Sequence, residues 1–271
     1  MNLKQLCEGI KLDPDARQIL YDYQMDEPQY QACKKQFYAN RYAFFEKVKQ
    51  TAGYRQLFLY LYARFAADVH EEYRLRGIDD EIYFDTFSDI QIWCLTCKRD
   101  YGEYGIEEYH WLQEHIQLRL FRLGRLQFQP SALERTLEVD GRTVFKNQIV
   151  LNVHIPSGES LESRSVEESF ERARSFFRGI TPVFTCHSWL LYPGLSEVLP
   201  QGSNILQFQK EFIIYETDCE SNQAEQRIFN QPRSDRSQYE EHTTLQRSAK
   251  AYLLAGNKLG NGSGIKMNPI G

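Results

Sequence analysis

The chain has 271 residues, 42% of them hydrophobic and 25% charged, enough to bury one large domain or two ordinary ones. Glycine and proline number only 16 and 9, which excludes collagen-like and wholly disordered classes. A balance of 32 basic against 37 acidic side chains argues against a dedicated nucleic-acid binder, and the 14% aromatic share is the unusual entry.

The N-terminus carries no apolar run of signal-peptide length, and the most apolar stretch, Leu57 to Ala67, contains Arg64 and is too short to cross a bilayer. A cytoplasmic location without a membrane segment is expected. The six cysteines are then expected to be reduced thiols.

The first ~120 residues carry the helical period. Asp13 to Tyr23 and Tyr30 to Lys49 are patterned as helices. Tyr54, Leu57, Phe58, Leu61, Phe65 and Val69 recur at spacings of three and four, marking one helix face that ends near Arg76-Gly77. Asp79-Asp80 opens a further buried stretch through Phe87, Ile90 and Trp93, and another helix is predicted from Ile106 to Arg119. Cys94 and Cys97 fall inside that helical stretch, so this C-x-x-C reads as buried thiols rather than a redox turn or zinc site, and no metal is expected.

From Leu120 the grammar changes to strands. Leu126 to Gln129 and Leu133 to Val139 precede the hairpin turn Asp140-Gly141, with a return through Thr143 to Phe145 and on into Gln148 to His154. Pro156-Ser157-Gly158 breaks that strand, and Ser165 with Glu168 is read as a capping box opening a helix along Val166, Phe170, Ala173 and Phe177. A strand from Val183 to Leu191 stops at Tyr192-Pro193-Gly194. A short helix over Leu195 to Leu199, a helix from Asn204 and a strand from Glu211 to Thr217 follow. Asp218 to Glu241 is expected to be a surface loop and Thr243 to Leu254 a helix. The glycine-rich Asn257 to Gly264 reads as a loose terminus or a backbone-lined loop. Most aromatic residues then divide between two cores: Phe58, Phe65, Phe87 and Trp93 in the helical part, and Phe128, Phe145, Phe184, Trp189 and Phe208 in the later part.

Ordered motifs in this second half carry a resemblance. His154-Ile155-Pro156-x-Gly158-x-x-Leu161 is followed by Phe184-x-Cys186-x-Ser188-Trp189-Leu190-Leu191-x-Pro193. Then come Leu199-Pro200-x-x-Ser203-Asn204-Ile205-x-x-Phe208, Arg227-Ile228-Phe229 and Thr244 to Arg247. The series resembles the bacterial acyltransferase-like family with a helical N-acyltransferase N-terminal domain and a GNAT-like C-terminal domain. The resemblance implies an α+β chain: a helical domain over 1–120, then a mixed, mostly antiparallel sheet flanked by helices over 121–256, with a glycine-rich tail over 257–271. It also implies acyl-CoA or acetyl-CoA as co-substrate and a small-molecule acceptor, an amine, that attacks the thioester directly. Neither a nucleic acid nor a membrane is among the expected partners.

In such a fold the cofactor lies beside the turn Ile155, Pro156, Ser157 and Gly158, near the start of the next helix, and Asn204 is a further candidate contact. The Arg/Gln-x-x-Gly-x-Gly/Ala pyrophosphate signature is absent; only Gly158 stands in the loop. His187 and His154 are the candidate bases because imidazole titrates near neutral pH, and Ser188 or Tyr192 the candidate donors to the leaving thiolate. Each also has a structural reading: His187 as a residue packed beside Trp189, His154 as a cap of the turn, Asn204 as a helix cap. The incomplete phosphate loop leaves a non-catalytic GNAT-like binding or regulatory protein as the alternative. A hydrolase using Cys186 or Ser188 ranks last, without a nucleophile elbow or a third member.

Overall fold

The computed structural model describes residues 1–180 and 182–267. Two compact units emerge, one of Met1–Leu123 with Pro156–Gly158, the other of Gly124–Ile155 and the chain from Glu159 onward.

The first unit is helical: α1 (Leu3–Gly9), α2 (Pro14–Asp22), α3 (Glu27–Ala39), α4 (Arg41–Lys49), α5 (Tyr54–Leu75), α6 (Asp80–Phe87), α7 (Asp89–Tyr101) and α8 (Tyr109–Ile116), with a short strand β1 (Phe121–Leu123). Its axis is α5. The sequence pattern marks one apolar face there, yet Leu57 to Ala63 are buried all the way round, as expected of a helix enclosed by others. Tyr62 donates to the Tyr109 carbonyl and Tyr83 to the Ala66 carbonyl at 2.7 Å, so these rings carry satisfied hydroxyls into the core. Phe58 stacks on Tyr109 with centroids 4.3 Å apart, one pair in a continuous ring cluster that includes Phe37, Phe44, Phe45 and Phe65. Cys94 and Cys97 lie buried on α7 as free thiols, both pushed up to about 12 by burial.

The second unit holds β2 (Leu126–Ala132), β3 (Leu137–Val139), β4 (Arg142–Val144), β5 (Ile149–His154), α9 (Ser163–Phe176), β6 (Val183–Ser188), α10 (Asn204–Gln209), β7 (Ile213–Asp218), α11 (Gln223–Phe229), α12 (Thr244–Leu254) and β8 (Asn261–Met267). Five of these strands follow the order β2-β5-β6-β8-β7, and β3 pairs with β4 in a separate hairpin. All pairs in this run are antiparallel except β5 with β6. One face of the sheet carries Phe128, Phe184 and Phe170 of α9 in mutual edge contacts.

Several expectations need correction. The glycine-rich segment is neither a loose terminus nor a loop over 261–267: it is a strand between β6 and β7, buried from Asn261 to Ile265. Residues 268–271 of that tail lie outside the described residues. Its glycines answer to close packing, since a Cβ on Gly262 would stand 2.2 Å from the Leu191 carbonyl oxygen. The supposed loop Asp218 to Glu241 contains α11 and a 3₁₀ turn at Arg236–Gln238. The strand expected to reach Leu191 ends at Ser188, where a 3₁₀ turn over Trp189–Leu191 begins. Leu195 to Leu199 is not an α-helix; a 3₁₀ turn spans Pro193–Glu197. No capping box forms at Ser165, because α9 starts two residues earlier, at Ser163. Phe145, expected in the core, is 64% exposed beyond the β4 end.

Candidate active site

The two parallel strands β5 and β6 share only two residue pairs, Leu151 with Phe184 and Asn152 with Thr185. Beyond them Val153-His154 and Cys186-His187-Ser188 continue without pairing to each other, so the centre of the sheet opens toward the C-terminal strand ends. Openings at the carboxyl ends of parallel strands are where α/β proteins receive ligands, because backbone donors there are not used by a neighbour.

Side chains alternate along a strand, so the register assigns faces. Asn152 and His154 on β5 share a face with Thr185 and His187 on β6, and this face continues through Gln127 and Gln129 of β2 and Asn261 and Ser263 of β8. Both candidate histidines therefore stand on one polar face, on opposite sides of the opening. His154 is half-buried, its Nε2 3.1 Å from Gln129 Oε1 and 3.2 Å from Asn152 Nδ2. His187 is the more exposed ring, with Nδ1 2.9 Å from Ser263 Oγ and Nε2 3.2 Å from Asn261 Nδ2. Gln127, opposite His154, is 1% exposed and its Nε2 has no hydrogen-bond partner, which leaves a buried donor on the same face. Nothing local in the sequence marks Gln127, Asn261 or Ser263; only the register brings them here.

Ser188 and Cys186 are not on this face. Ser188 lies on the opposite face, is buried, and accepts the Leu190 N–H at 3.2 Å as the cap of the 3₁₀ turn. That placement sets Ser188 apart from the two histidines. Cys186 is on this opposite face as well, its thiol pushed up to about 12 by burial, so the thiolate a nucleophile needs is scarce at neutral pH. Tyr192 follows the turn; its hydroxyl accepts from Cys219 Sγ at 3.6 Å. Burial first, then Cys219 and Tyr252, raises its pKa well above that of an ordinary tyrosine, which keeps the group a donor.

Around the expected cofactor turn, Pro156, Ser157 and Gly158 belong with the first unit, and Ile155 closes the strand segment of the second. Gly158 has φ +102°, and a Cβ there would meet open space, so the backbone conformation asks for glycine and no close protein neighbour does. Arg125 braces the next two residues: its Nε donates to the Ser160 carbonyl at 3.0 Å and its Nη2 to the Glu159 carbonyl at 2.7 Å. Asn204 is not a cap, since Ser203 accepts the Leu206 N–H; Asn204 instead donates to Ser160 Oγ at 2.7 Å. The segment Glu159-Ser160 is thereby held from the start of β2 and from α10. A cavity of about 350 Å³ adjoins it, lined by Arg125, Ser160, Ser165, Ser169 and Arg172 together with Glu159, Glu162 and Glu168. Three carboxylates against two guanidiniums do not make an electrostatic cradle, so a phosphate here depends on backbone N–H groups at the start of α9. Among the described residues, no group of three or more His, Cys, Asp or Glu side chains is placed to hold a metal, and no helix is long and apolar enough to cross a membrane.

A helical unit followed by a mixed sheet whose single parallel pair separates defines the class of two-unit GNAT-like proteins. Residues 1–118 match the N-acyltransferase N-terminal domain and residues 120–266 the GNAT-like C-terminal domain, and the chain belongs to this acyltransferase family. Among solved structures it is similar to an acyltransferase in complex with decanoyl-CoA and teicoplanin, at 22% identity over 98% of this chain and 87% of that one, with a TM-score of 0.78. A mutant of an acyltransferase in complex with octanoyl-CoA gives the same identity, coverage and TM-score. An acyltransferase in complex with CoA and 10C-teicoplanin gives a TM-score of 0.77. No curated protein matches the chain.

Proposed function

We propose that the chain is an acyl-CoA-dependent N-acyltransferase that passes an acyl group to an amine of a small-molecule acceptor. The observation that carries this reading is the opening between β5 and β6, with His154 and His187 on one sheet face at its two sides. The thioester lies in the opening, where strand N–H groups face the developing oxyanion. The amine nitrogen attacks the thioester carbonyl; His187 accepts the amine proton, and the C–S bond breaks with the electron pair leaving on sulfur. Tyr192 is the proposed donor to that thiolate, and Ile155 at the end of β5 borders the pantetheine path. His187 is the exposed ring and His154 the half-buried one, so His154, held by Gln129 and Asn152, orients rather than accepts. The decanoyl- and octanoyl-CoA complexes of the similar proteins favour a medium-length acyl chain, and the teicoplanin complex favours a bulky, polar small-molecule acceptor.

Calorimetric titration with CoA, acetyl-CoA, octanoyl-CoA and decanoyl-CoA tests the reading. Binding with preference for the longer acyl chains supports it. Absence of binding at millimolar concentrations removes it. Binding without transfer to any amine in a panel of amino sugars and glycopeptides leaves the non-catalytic GNAT-like binder, the reading suggested by the single glycine of the phosphate turn.

A further inference from the structure

The hydrogen bonds around His187 specify more than its location. Asn261 is 3% exposed, and its Nδ2 stands 3.2 Å from His187 Nε2 and 3.1 Å from Ser221 Oγ. The two hydrogens of one amide nitrogen thus have two acceptors. Nε2 must then present its lone pair, and the single proton of a neutral imidazole must sit on Nδ1, 2.9 Å from Ser263 Oγ, which accepts it. The Ser263 hydroxyl keeps its own proton to give onward to Tyr215. One feature of this network is unsatisfied: Asn261 Oδ1 is buried without a hydrogen-bond partner. Buried orphan acceptors cost stability and call for a reason.

We propose that Asn261 and Ser263 are positioning residues that hold His187 as its Nδ1-protonated tautomer, and that the Asn261 amide turns over when Nε2 takes a proton. This rests on the reading of His187 as the proton acceptor. In the resting state the Asn261 N–H occupies the lone pair of Nε2, and the incoming amine displaces it before its own proton is taken. When the amine N–H bond breaks and an N–H bond forms at Nε2, donor would face donor. A half turn about the Cβ–Cγ bond replaces Nδ2 by Oδ1, which accepts from the new Nε2–H and from the Ser221 hydroxyl. Ser221 can reverse, because its oxygen accepts in the resting state from Asn261 and from the Gln223 N–H at 3.3 Å. The orphan oxygen is thus the acceptor held in reserve for the charged ring. It makes the bond a charge-assisted one, while the amide nitrogen moves into the unpartnered place, and this favours return of the proton once product has left.

Other groups face this network and contribute to it. From β7 these are Tyr215 and Glu216, the latter paired with Arg135, and Asp218 opposite Asn261 in the register; from β5 it is His154 across the opening. The hydrogen bonds of the imidazole itself go to Asn261 and Ser263, which engage one ring nitrogen each.

The experiment is a long-range ¹H–¹⁵N spectrum of the full chain labelled at histidine, with the His187 signals identified by their loss in His187→Gln. The neutral ring should be protonated at Nδ1 in the unsubstituted protein, a measurement that needs no variant to fold. Ser263→Ala should move the proton toward Nε2. Asn261→Asp, which offers only acceptors at nearly unchanged shape, should favour the protonated ring at least about tenfold and raise its titration midpoint by about one unit. A neutral ring protonated at Nε2 in the unsubstituted protein overturns the proposal, and so does a titration midpoint that Asn261→Asp leaves in place. These readouts use the free protein, so failure of acyl transfer and failure of the tautomer assignment are separate results.

Discussion

Gly262→Ala tests the packing that delivers β8 to the site. The new Cβ would stand 2.2 Å from the Leu191 carbonyl oxygen and 2.6 Å from its carbonyl carbon, against the 3.4 Å at which ordinary contact begins. Both obstacles are backbone, so no flexible side chain can swing aside. Either the 3₁₀ turn over Trp189–Leu191 or strand β8 must move by about 1 Å, and overpacking of this kind costs roughly 1–3 kcal/mol. Converted with the size scaling of a domain of this length, the second unit should lose roughly 2–12 °C in Tm. Gly262 pairs with Ser188 and precedes Ser263, so the displacement also carries Ser263 away from His187. Differential scanning calorimetry with and without decanoyl-CoA, paired with an acyl-transfer assay, reads both consequences. A Gly262→Ala protein with unshifted Tm and full transfer rate would refute the account of β8 as a closely fitted strand.

Further outcomes are expected at the site and in the cores. His187→Gln should reduce the transfer rate by about 10²–10⁴-fold with acyl-CoA binding retained, whereas His154→Gln should cost less, measured as kcat and as calorimetric affinity. Cys186→Ala should keep the transfer rate, since a thiol at about 12 supplies only about one thiolate in 10⁵ at pH 7. Alkaline pH should destabilise the fold. Burial lifts Cys7 from 9.0 to about 11 and Cys94, Cys97 and Cys186 from 9.0 to about 12, so the unfolded chain loses these protons first. Their contribution is complete below pH 9 and is lost as pH rises toward 12. Urea titrations at pH 8 to 11 should show that decline, and a decline no less steep in Cys186→Ala counts against the assignment. Arg125→Met removes the donors that hold the Glu159 and Ser160 carbonyls, and calorimetry should show weaker acyl-CoA binding with the His187 tautomer unchanged.

The helices of the first unit could be read from the chain because their apolar spacing is local, as along Leu57, Leu61 and Phe65 of α5. The seven-residue α1 escaped, being too short for its period to show. α11 escaped because Ala224, Ile228 and Phe229 are set among polar neighbours that read as loop. β8 was hidden for a deeper reason. Asn261-Gly262-Ser263-Gly264 has neither β-branched residues nor apolar alternation, and its strand character comes entirely from β6 and β7 on either side. His154 and His187 were legible as histidines near strand ends. Their common face was not, since a parallel register joins residues whose separation no local pattern encodes. The turn cap made by Ser188 and the tether from Asn204 to Ser160 were not legible either, since both depend on where the chain folds back.

The insertion of β8 between β6 and β7 also orders events in time. Of the five strands β2, β5, β6, β8 and β7 it is the last in the chain, yet it occupies an interior position. During synthesis β2, β5 and β6 can associate as soon as they emerge, while β7 has no partner and β6 presents an open edge until residues 261–267 arrive. His187 takes both of its hydrogen-bonding neighbours from β8, so they arrive in the same step that seals the sheet. Closure of the sheet and completion of the His187 hydrogen bonds are one event, carried by a seven-residue strand whose only hydrophobic side chains are Ile265 and Met267.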